Sequence, residues 1–195
     1  SNSSTTSRRP SSPTEGLLRN NTTTGASEFY NGSLWQQIAG TLVPDNAPSS
    51  NFNTVLYTGD SSTQAITVGF KPDWVIVKSR TQGYEPTVFD TVRGALERIR
   101  TSSSTSEDTK TGSLTSFDTN GFTTGNYAGM NNSGQSFVAW CWKAGGAPTA
   151  TNVASAGASP TSGSVMIDGV VSTSSLAGSI AAKKISANTK TGFSI

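Results

Sequence analysis

Polar and apolar positions alternate in short runs along this chain, and the runs are cut by Gly, Asn, Asp and Pro. Alternation with a period of two over ~4–8 residues predicts half-buried β-strands, because successive side chains on a strand point to opposite faces. The clearest case is SFVAWCWKAGG, residues 136–146. Phe137, Ala139, Cys141 and Lys143 fall on one face there, and Val138, Trp140 and Trp142 on the other. This predicts the closing strand of a sandwich, ending at a Gly145-Gly146 break. KPDWVIVKSR sets Trp74, Ile76 and Lys78 against Val75 and Val77, as a central strand covered on two sides would. FNTVLYTGD, QAITVGF and EPTVFDTV add strands, and GSLTSFDTNGFTTG reads as two short strands around Asn120-Gly121. DTVRGALERIR is ambiguous. Val92, Leu96 and Ile99 stand at helical spacing behind Asp90 as an N-cap, but Gly94 weakens a helix, so helix and strand-loop readings stay level. Short strands with turns every ~8–12 residues predict an all-β sandwich or barrel.

The flanking segments organise differently. Residues 1–12 are polar and of low complexity, as an extended arm would be. Residues 13–46 predict a small β-meander for anchoring or oligomerisation, with strands at 17–21, 28–30 and 33–38 and a type I′ hairpin turn at Asn31-Gly32. Phe29, Tyr30, Leu34, Trp35 and Ile38 supply its apolar side chains, and a sheet this small is marginal alone. AGTLVPDNAPSSN is a linker with a boundary near 47–51, and the main domain spans 52–146. After a second linker at 147–163, the β pattern restarts over 164–195, where NTKTGFSI echoes DTNGFTTG. The expectation is the start of a second β-unit, in a chain that is one fragment of a longer fibre and continues past Ile195.

Composition narrows the chemistry. Charged residues make up 13% of the 195 positions and hydrophobic ones 33%, with Ser, Thr, Asn and Gly filling the deficit. That mixture favours turns and side-chain-to-backbone hydrogen bonds over helices. A net charge of +2 gives no electrostatic case for nucleic acid, and no apolar run approaches the ~20 residues of a membrane span. Histidine is absent, which excludes His triads, His general bases and His-ligated metals, and the lone cysteine excludes an internal disulfide and thiolate zinc. The sequence predicts no enzyme, no cofactor and no metal.

GFKPDWVIVKSR, VFDTVRGA, SLTSFDTNGFTTG and FVAWCWKAGG, in this order and spacing over residues 52–146, resemble a domain common in structural proteins of tailed bacteriophages, especially marine and cyanobacterial phages. That domain is regarded as similar to concanavalin- and laminin-G-like jelly rolls. PTEGLLRNNTTTGASEFYNGSLW resembles an element of phage tail and head fibres usually seen as EG, R-N-T and E-Y-x-G-x-W. Phe29 here precedes Tyr30, while the Asn31-Gly32 turn and Trp35 stand where expected. The resemblance implies a jelly-roll-like sandwich in a virion structural protein, a fibre or fibre-like appendage serving particle assembly and host-surface attachment. The implied partners are other virion proteins, further copies of the chain (a trimer favoured) and a host-surface glycan. A head-associated or decoration protein, a glycan-binding module and, less favoured, a glycan-degrading module are the alternatives. The first residues show no apolar signal-peptide core, which fits release by lysis as part of a particle.

Candidate residues follow from chemistry. Cys141 between two tryptophans is either a nucleophile in an aromatic slot or a small core residue. The absence of His and the strand pattern favour the core. Trp140 and Trp142 fill the core or a subunit seam, or stack on a sugar. Asp90, Glu97, Glu107, Asp108 and Asp118 include no carboxylate pair that spacing identifies, so solvated loop carboxylates are expected. Arg93, Arg98 and Arg100 form a basic cluster suited to a phosphate or to acids across a subunit contact. Asn131 and Asn132, in the loop GMNNSG, are candidate host contacts because recognition concentrates in exposed loops. Arg8, Arg9, Tyr30 and Trp35 are the candidate anchor or oligomer contacts.

Overall fold

Residues 3–4 (backbone only), 12–21, 26–37 and 48–195 are described in the computed structural model, which divides into two compact units, Ser1–Pro44 and Asp45–Ile195. The described part of the first unit is a four-stranded sheet in sequence order: β1 (Ser3–Ser4), β2 (Leu18–Asn21), β3 (Ala26–Tyr30) and β4 (Trp35–Gln37). β1 runs parallel to β2, and β2, β3 and β4 form the expected antiparallel meander. The turn between β3 and β4 is not the two-residue type I′ turn that Asn-Gly signals. Tyr30 pairs with Trp35, so the loop holds residues 31–34. The Asn31 side chain organises it, accepting from Ser33 N at 3.0 Å and Leu34 N at 2.8 Å, and Asn31 N donates to Leu34 O at 3.1 Å. An Asn that captures backbone donors two and three residues on favours the longer loop. Ile38 lies outside the described residues.

Burial in this sheet is inverted. Arg19, Asn21 and Glu28 are buried, while Leu18 and Leu34 are 61% and 62% exposed. Arg19 and Glu28 are direct cross-strand partners with Nε and Oε2 3.2 Å apart, and Asn21 Nδ2 donates to the other Glu28 oxygen at 2.8 Å. A polar trio on the covered face leaves the alternate positions, Leu18 among them, facing outward.

The second unit is built around a sandwich. Its larger layer has six strands in the order β10-β9-β8-β7-β13-β5, with β5 (Phe52–Thr58), β7 (Trp74–Ser79), β8 (Thr87–Asp90), β9 (Gly94–Arg100), β10 (Asp108–Thr109) and β13 (Ser136–Trp142). The smaller layer, β11-β12-β6, comprises β6 (Gln64–Thr67), β11 (Leu114–Asp118) and β12 (Gly121–Thr124). A single helical turn, α1 (Ala128–Asn131), precedes β13. The predicted all-β class holds. Residues Val75, Val77, Phe89, Phe137, Ala139 and Cys141 from the large sheet pack on Ile66, Leu114 and Phe122 from the small one, with Met130 of α1 in the same core. Tyr57 spans the layers, stacked on Phe137 at 5.3 Å between ring centroids and edge-on to Phe122 at 6.5 Å.

The ambiguous stretch resolves as a hairpin. Asp90 Oδ1 accepts from Val92 N and Arg93 N, so the residue offered as a helix cap caps a turn between β8 and β9. Backbone geometry then excludes a helix, since Gly94 has φ of 115° and Leu96 φ of 71°. β9 bulges between Gly94, opposite Asp90, and Ile99, opposite Val88, and the bulged Glu97 and Arg98 pair with β10 instead.

One expectation on organisation holds and one changes. β13 is the last strand of the sandwich in chain order, as expected, and it lies in the interior of the larger sheet, between β7 and β5. The 164–195 segment does not start a separate unit. Strands β14 (Val165–Ile167), β15 (Val170–Val171), β16 (Ile185–Asn188) and β17 (Phe193–Ser194) form a sheet in the order β15-β14-β16-β17 within the same compact unit. Phe193 covers the outer aromatic end of the six-stranded sheet, stacked on Trp142 at 6.0 Å and edge-on to Trp74 at 6.3 Å, while Phe52 tilts against Trp142 at 4.8 Å. The sequence echo reflects a repeated local turn chemistry, which is too short to build a core of its own.

Candidate functional site

Cys141 sits fully buried at the centre of the sandwich, and burial pushes its thiol up to about 12. A nucleophilic cysteine needs the reverse shift and an exposed approach, so the aromatic slot does not exist. Trp140 and Trp142 point to the opposite face, as alternation requires. Burial, with a smaller contribution from nearby Cys141, also raises the Tyr57 phenol. An unfolded thiol titrates near ~8.5. Above that pH the unfolded chain releases a proton that the folded chain keeps. The stabilisation is therefore complete below ~pH 8.5 and falls by ~1.4 kcal/mol per pH unit as pH rises towards the folded value. Urea unfolding at pH 7.5 and pH 10 is expected to show this fall, with Cys141→Ala flattening it. Iodoacetamide is expected to label Cys141 only in unfolded protein.

The arginine cluster is committed within the chain. Arg98 is only 5% exposed, grips Asp108 through Nε (3.0 Å) and a second nitrogen (2.6 Å), and donates to the Tyr127 hydroxyl at 2.8 Å. The Arg98 bonds hold the Asp108 carboxyl below its ordinary value and raise the guanidinium, its own burial opposing. Arg93 bonds Asp90 at 2.6 Å and reaches Glu107 at 3.4 Å, and Arg100 lies 3.6 Å from Glu85 and 3.7 Å from Asp108. This corrects the reading of Arg98 as a surface contact. It also pairs Arg93 and Arg100 with acids of their own chain.

Asn131 is corrected in the same way. It is fully buried, its amide donating to Gly125 O at 2.9 Å and Ser62 O at 2.7 Å, and its carbonyl accepting from Asp60 N at 2.9 Å. It ties the 59–62 turn to the loop before β13. Asp60 is held below its ordinary value chiefly by the backbone N–H of Ser62. Asn132 is half-buried, and its backbone packs so closely on Gly59 that no side chain fits there. Of the carboxylates, Glu97 accepts from Thr109, and Asp118 from Ser116 and Thr123, at distances from 2.7 to 3.2 Å. Tyr30 and Trp35 are half-buried cross-strand partners 5.7 Å apart, and the Arg19 guanidinium lies 5.2 Å from the Trp35 ring centre. Arg8 and Arg9 lie outside the described residues.

The structure assembles instead a cleft of about 200 Å³ where the end of β13 meets β14 and β16. Asp73 organises its floor. The carboxylate is 3% exposed, accepts from Ala144 N at 2.8 Å and Gly146 N at 3.2 Å through Oδ2, and takes the Thr91 hydroxyl at 3.0 Å on Oδ1. Asn188 of β16 donates to Asn51 at 2.9 Å, closing a link across 137 residues of sequence. Lys71, Lys143 and Lys190 surround these groups, and Asp168, with φ of 51° and bonded to the Thr189 hydroxyl and backbone N–H, forms the rim with Gly169. Lys71, Asp73, Lys143 and Gly145-Gly146 lie in the blocks KPDW and WKAGG, but no spacing in those blocks signals a site. Their positions converge only after the C-terminal strands dock. No group of three or more His, Cys, Asp or Glu side chains placed to hold a metal occurs among the described residues.

Residues 47–175 match the profile of a family described as Domain of unknown function (DUF7483). The chain belongs to this family. The matched span covers about two thirds of the chain and takes in both layers of the sandwich together with β14 and β15, whereas β16 and β17 follow it. No curated protein and no solved structure matches the chain.

Proposed function

We propose that this DUF7483 chain is a structural protein of a tailed-phage virion, a fibre or fibre-like appendage that assembles as a homo-oligomer and takes part in host-surface attachment. The observation that carries this reading is the outer face of the six-stranded sheet. Register places Trp140, Ile76, Val88 and Ile99 in one row across four strands, with Val138 and Leu56 beside it. Ile99 is 40% and Leu56 60% exposed. Val88 and Val138 are buried and Ile76 and Trp140 half-buried, so the apolar surface left open on this face is at its Leu56 and Ile99 ends, and such surface suits contact with another subunit. The motif resemblance over residues 52–146 supplies the virion setting, and the charged groups offered as catalytic candidates are engaged in structural bonds.

An antibody against residues 48–195 is expected to decorate purified tailed-phage particles in electron micrographs and to block their adsorption to host cells. Absence of label on particles that carry the gene overturns the virion reading. For assembly, Leu56→Lys with Ile99→Lys is expected to leave the melting temperature within a few degrees, since both positions are exposed. The same pair should shift the species seen by light scattering from oligomer to monomer. A wild-type monomer at all concentrations counts against a homo-oligomer.

A further inference from the structure

We propose that the cleft between β13, β14 and β16 binds one acidic sugar residue of the uronate type. The inference deepens the attachment reading above and rests on it only for the source of the sugar, a host-surface polysaccharide.

Size sets the first limit. About 200 Å³ is below the ~300–1,000 Å³ of sites for drug-sized ligands, and leaves room for a single sugar ring. Charge sets the second. Lys71 and Lys143 take part in no ion pair among the described residues. The two acids of the cleft are held by donors of their own chain, Asp73 by Ala144 N, Gly146 N and Thr91, and Asp168 by Thr189. Neutral donors leave the carboxylate charges in place, so three lysines against two aspartates give the cleft lining a formal net charge of +1, which suits a ligand carrying one negative charge.

Polarity sets the third limit. A carboxylate offers about four acceptor positions, and Asp73, with three bonds received, retains a position for a hydroxyl donor. A ligand with one carboxylate and several hydroxyls matches both sets. Inorganic phosphate brings only one or two hydroxyl donors at neutral pH, fewer than a sugar ring, and a neutral sugar would leave the net positive charge of the lining unanswered. The binding groups are positioned in advance, because the Asn51–Asn188 bond and the Asp73 bonds to residues 144 and 146 fix the walls before any ligand arrives.

Titration of the full chain with D-glucuronate, D-glucose and inorganic phosphate, followed by amide NMR shifts, tests the assignment. Glucuronate is expected to saturate with Kd of ~1 mM, at least ~10-fold tighter than glucose or phosphate, with shifts at Gly145, Gly146 and Gly169. Raising salt to ~0.5 M should weaken it several-fold. Lys71→Gln with Lys143→Gln should reduce glucuronate binding to the level of glucose at unchanged melting temperature. No saturation by ~50 mM glucuronate, equal binding of glucose, or equal binding of phosphate each overturns the proposal. Because particle labelling does not depend on the cleft, failure here leaves the virion reading standing, and failure of labelling leaves the measured affinity standing.

Discussion

Gly145→Ala is expected to detach the C-terminal sheet from the sandwich, at a cost of at least ~3 kcal/mol, beyond the usual range of single substitutions. The reason is space, not backbone conformation. A Cβ at this position would lie 2.5 Å from Ala187 O and 2.6 Å from Ala187 N, and closer still to Met166 O. All three are backbone atoms of β14 and β16, so no side-chain rotation relieves the clash. The same glycine donates to Ser186 Oγ at 2.9 Å and accepts from Gly169 N at 3.1 Å, so displacement forfeits both bonds in a buried setting. Loss of the Phe193 stack on Trp142 should appear as a red shift of tryptophan emission, together with a fall in melting temperature. Its neighbour is the control. Gly146 has φ of 93° but meets only the tip of Met166 at 3.9 Å, so Gly146→Asn, a residue that tolerates this region, is expected to cost ~1 kcal/mol or less. Equal effects at the two positions would mean that the close approach at Gly145 is absent.

This pair of glycines shows what was legible in the sequence. Gly145-Gly146 read as a break where the sandwich ends, and β13 does stop at Trp142. What the pair does next depends on chain segments 20 to 40 residues downstream, and no local pattern encodes that approach. The strands themselves were readable because period-two alternation reports a buried face directly, as in the iBiB burial of β7. The core role of Cys141 followed from the same alternation. The arginines and Asn131 were misread for one reason. Composition assigns charged and amide side chains to the surface as a prior, whereas Arg98 is buried because Asp108, ten residues on, meets it in bidentate geometry across β10. Asn131 is buried because backbone groups of the 59–62 turn and of Gly125 converge on it. Satisfied polar groups are invisible to periodicity.

The β8–β9 hairpin carries a related lesson. In sequence terms Gly94 signals only a weak helix residue. Its φ of 115°, with Leu96 at 71°, makes it part of a bulge that transfers Glu97 and Arg98 from β8 to β10. A leucine in the left-handed region costs ~1–2 kcal/mol. The surrounding bonds, Lys110 N to Leu96 O at 2.9 Å and the Arg98–Asp108 fork, hold it there. The bulge thus turns Arg98 inward, which is why a basic run in sequence does not make a basic patch in space.

The second large effect is expected in the small unit. Glu28→Ala should unfold residues 12–37 while leaving the sandwich intact, giving a separate low-temperature transition. Removing one partner of a buried ion pair costs ~3–5 kcal/mol, because the remaining charge keeps its desolvation penalty. At ~0.05–0.15 kcal/mol per residue, a unit of this size holds only ~2–7 kcal/mol in total, so the loss is comparable with everything that keeps it folded. The Asn21 amide would lose its 2.8 Å acceptor in the same step. Arg19→Met with Glu28→Leu is the decisive comparison, since replacing both members of a buried pair by apolar groups is often neutral or stabilising. If Arg19 and Glu28 act only as mutual counter-charges, the double variant recovers the transition lost in the single one. If it stays unfolded, the polar face is needed to set which side of the meander is covered. A one-residue slip in strand register would exchange Arg19 and Asn21 for the exposed leucine face. The charged pair would then be what keeps Leu18 outward.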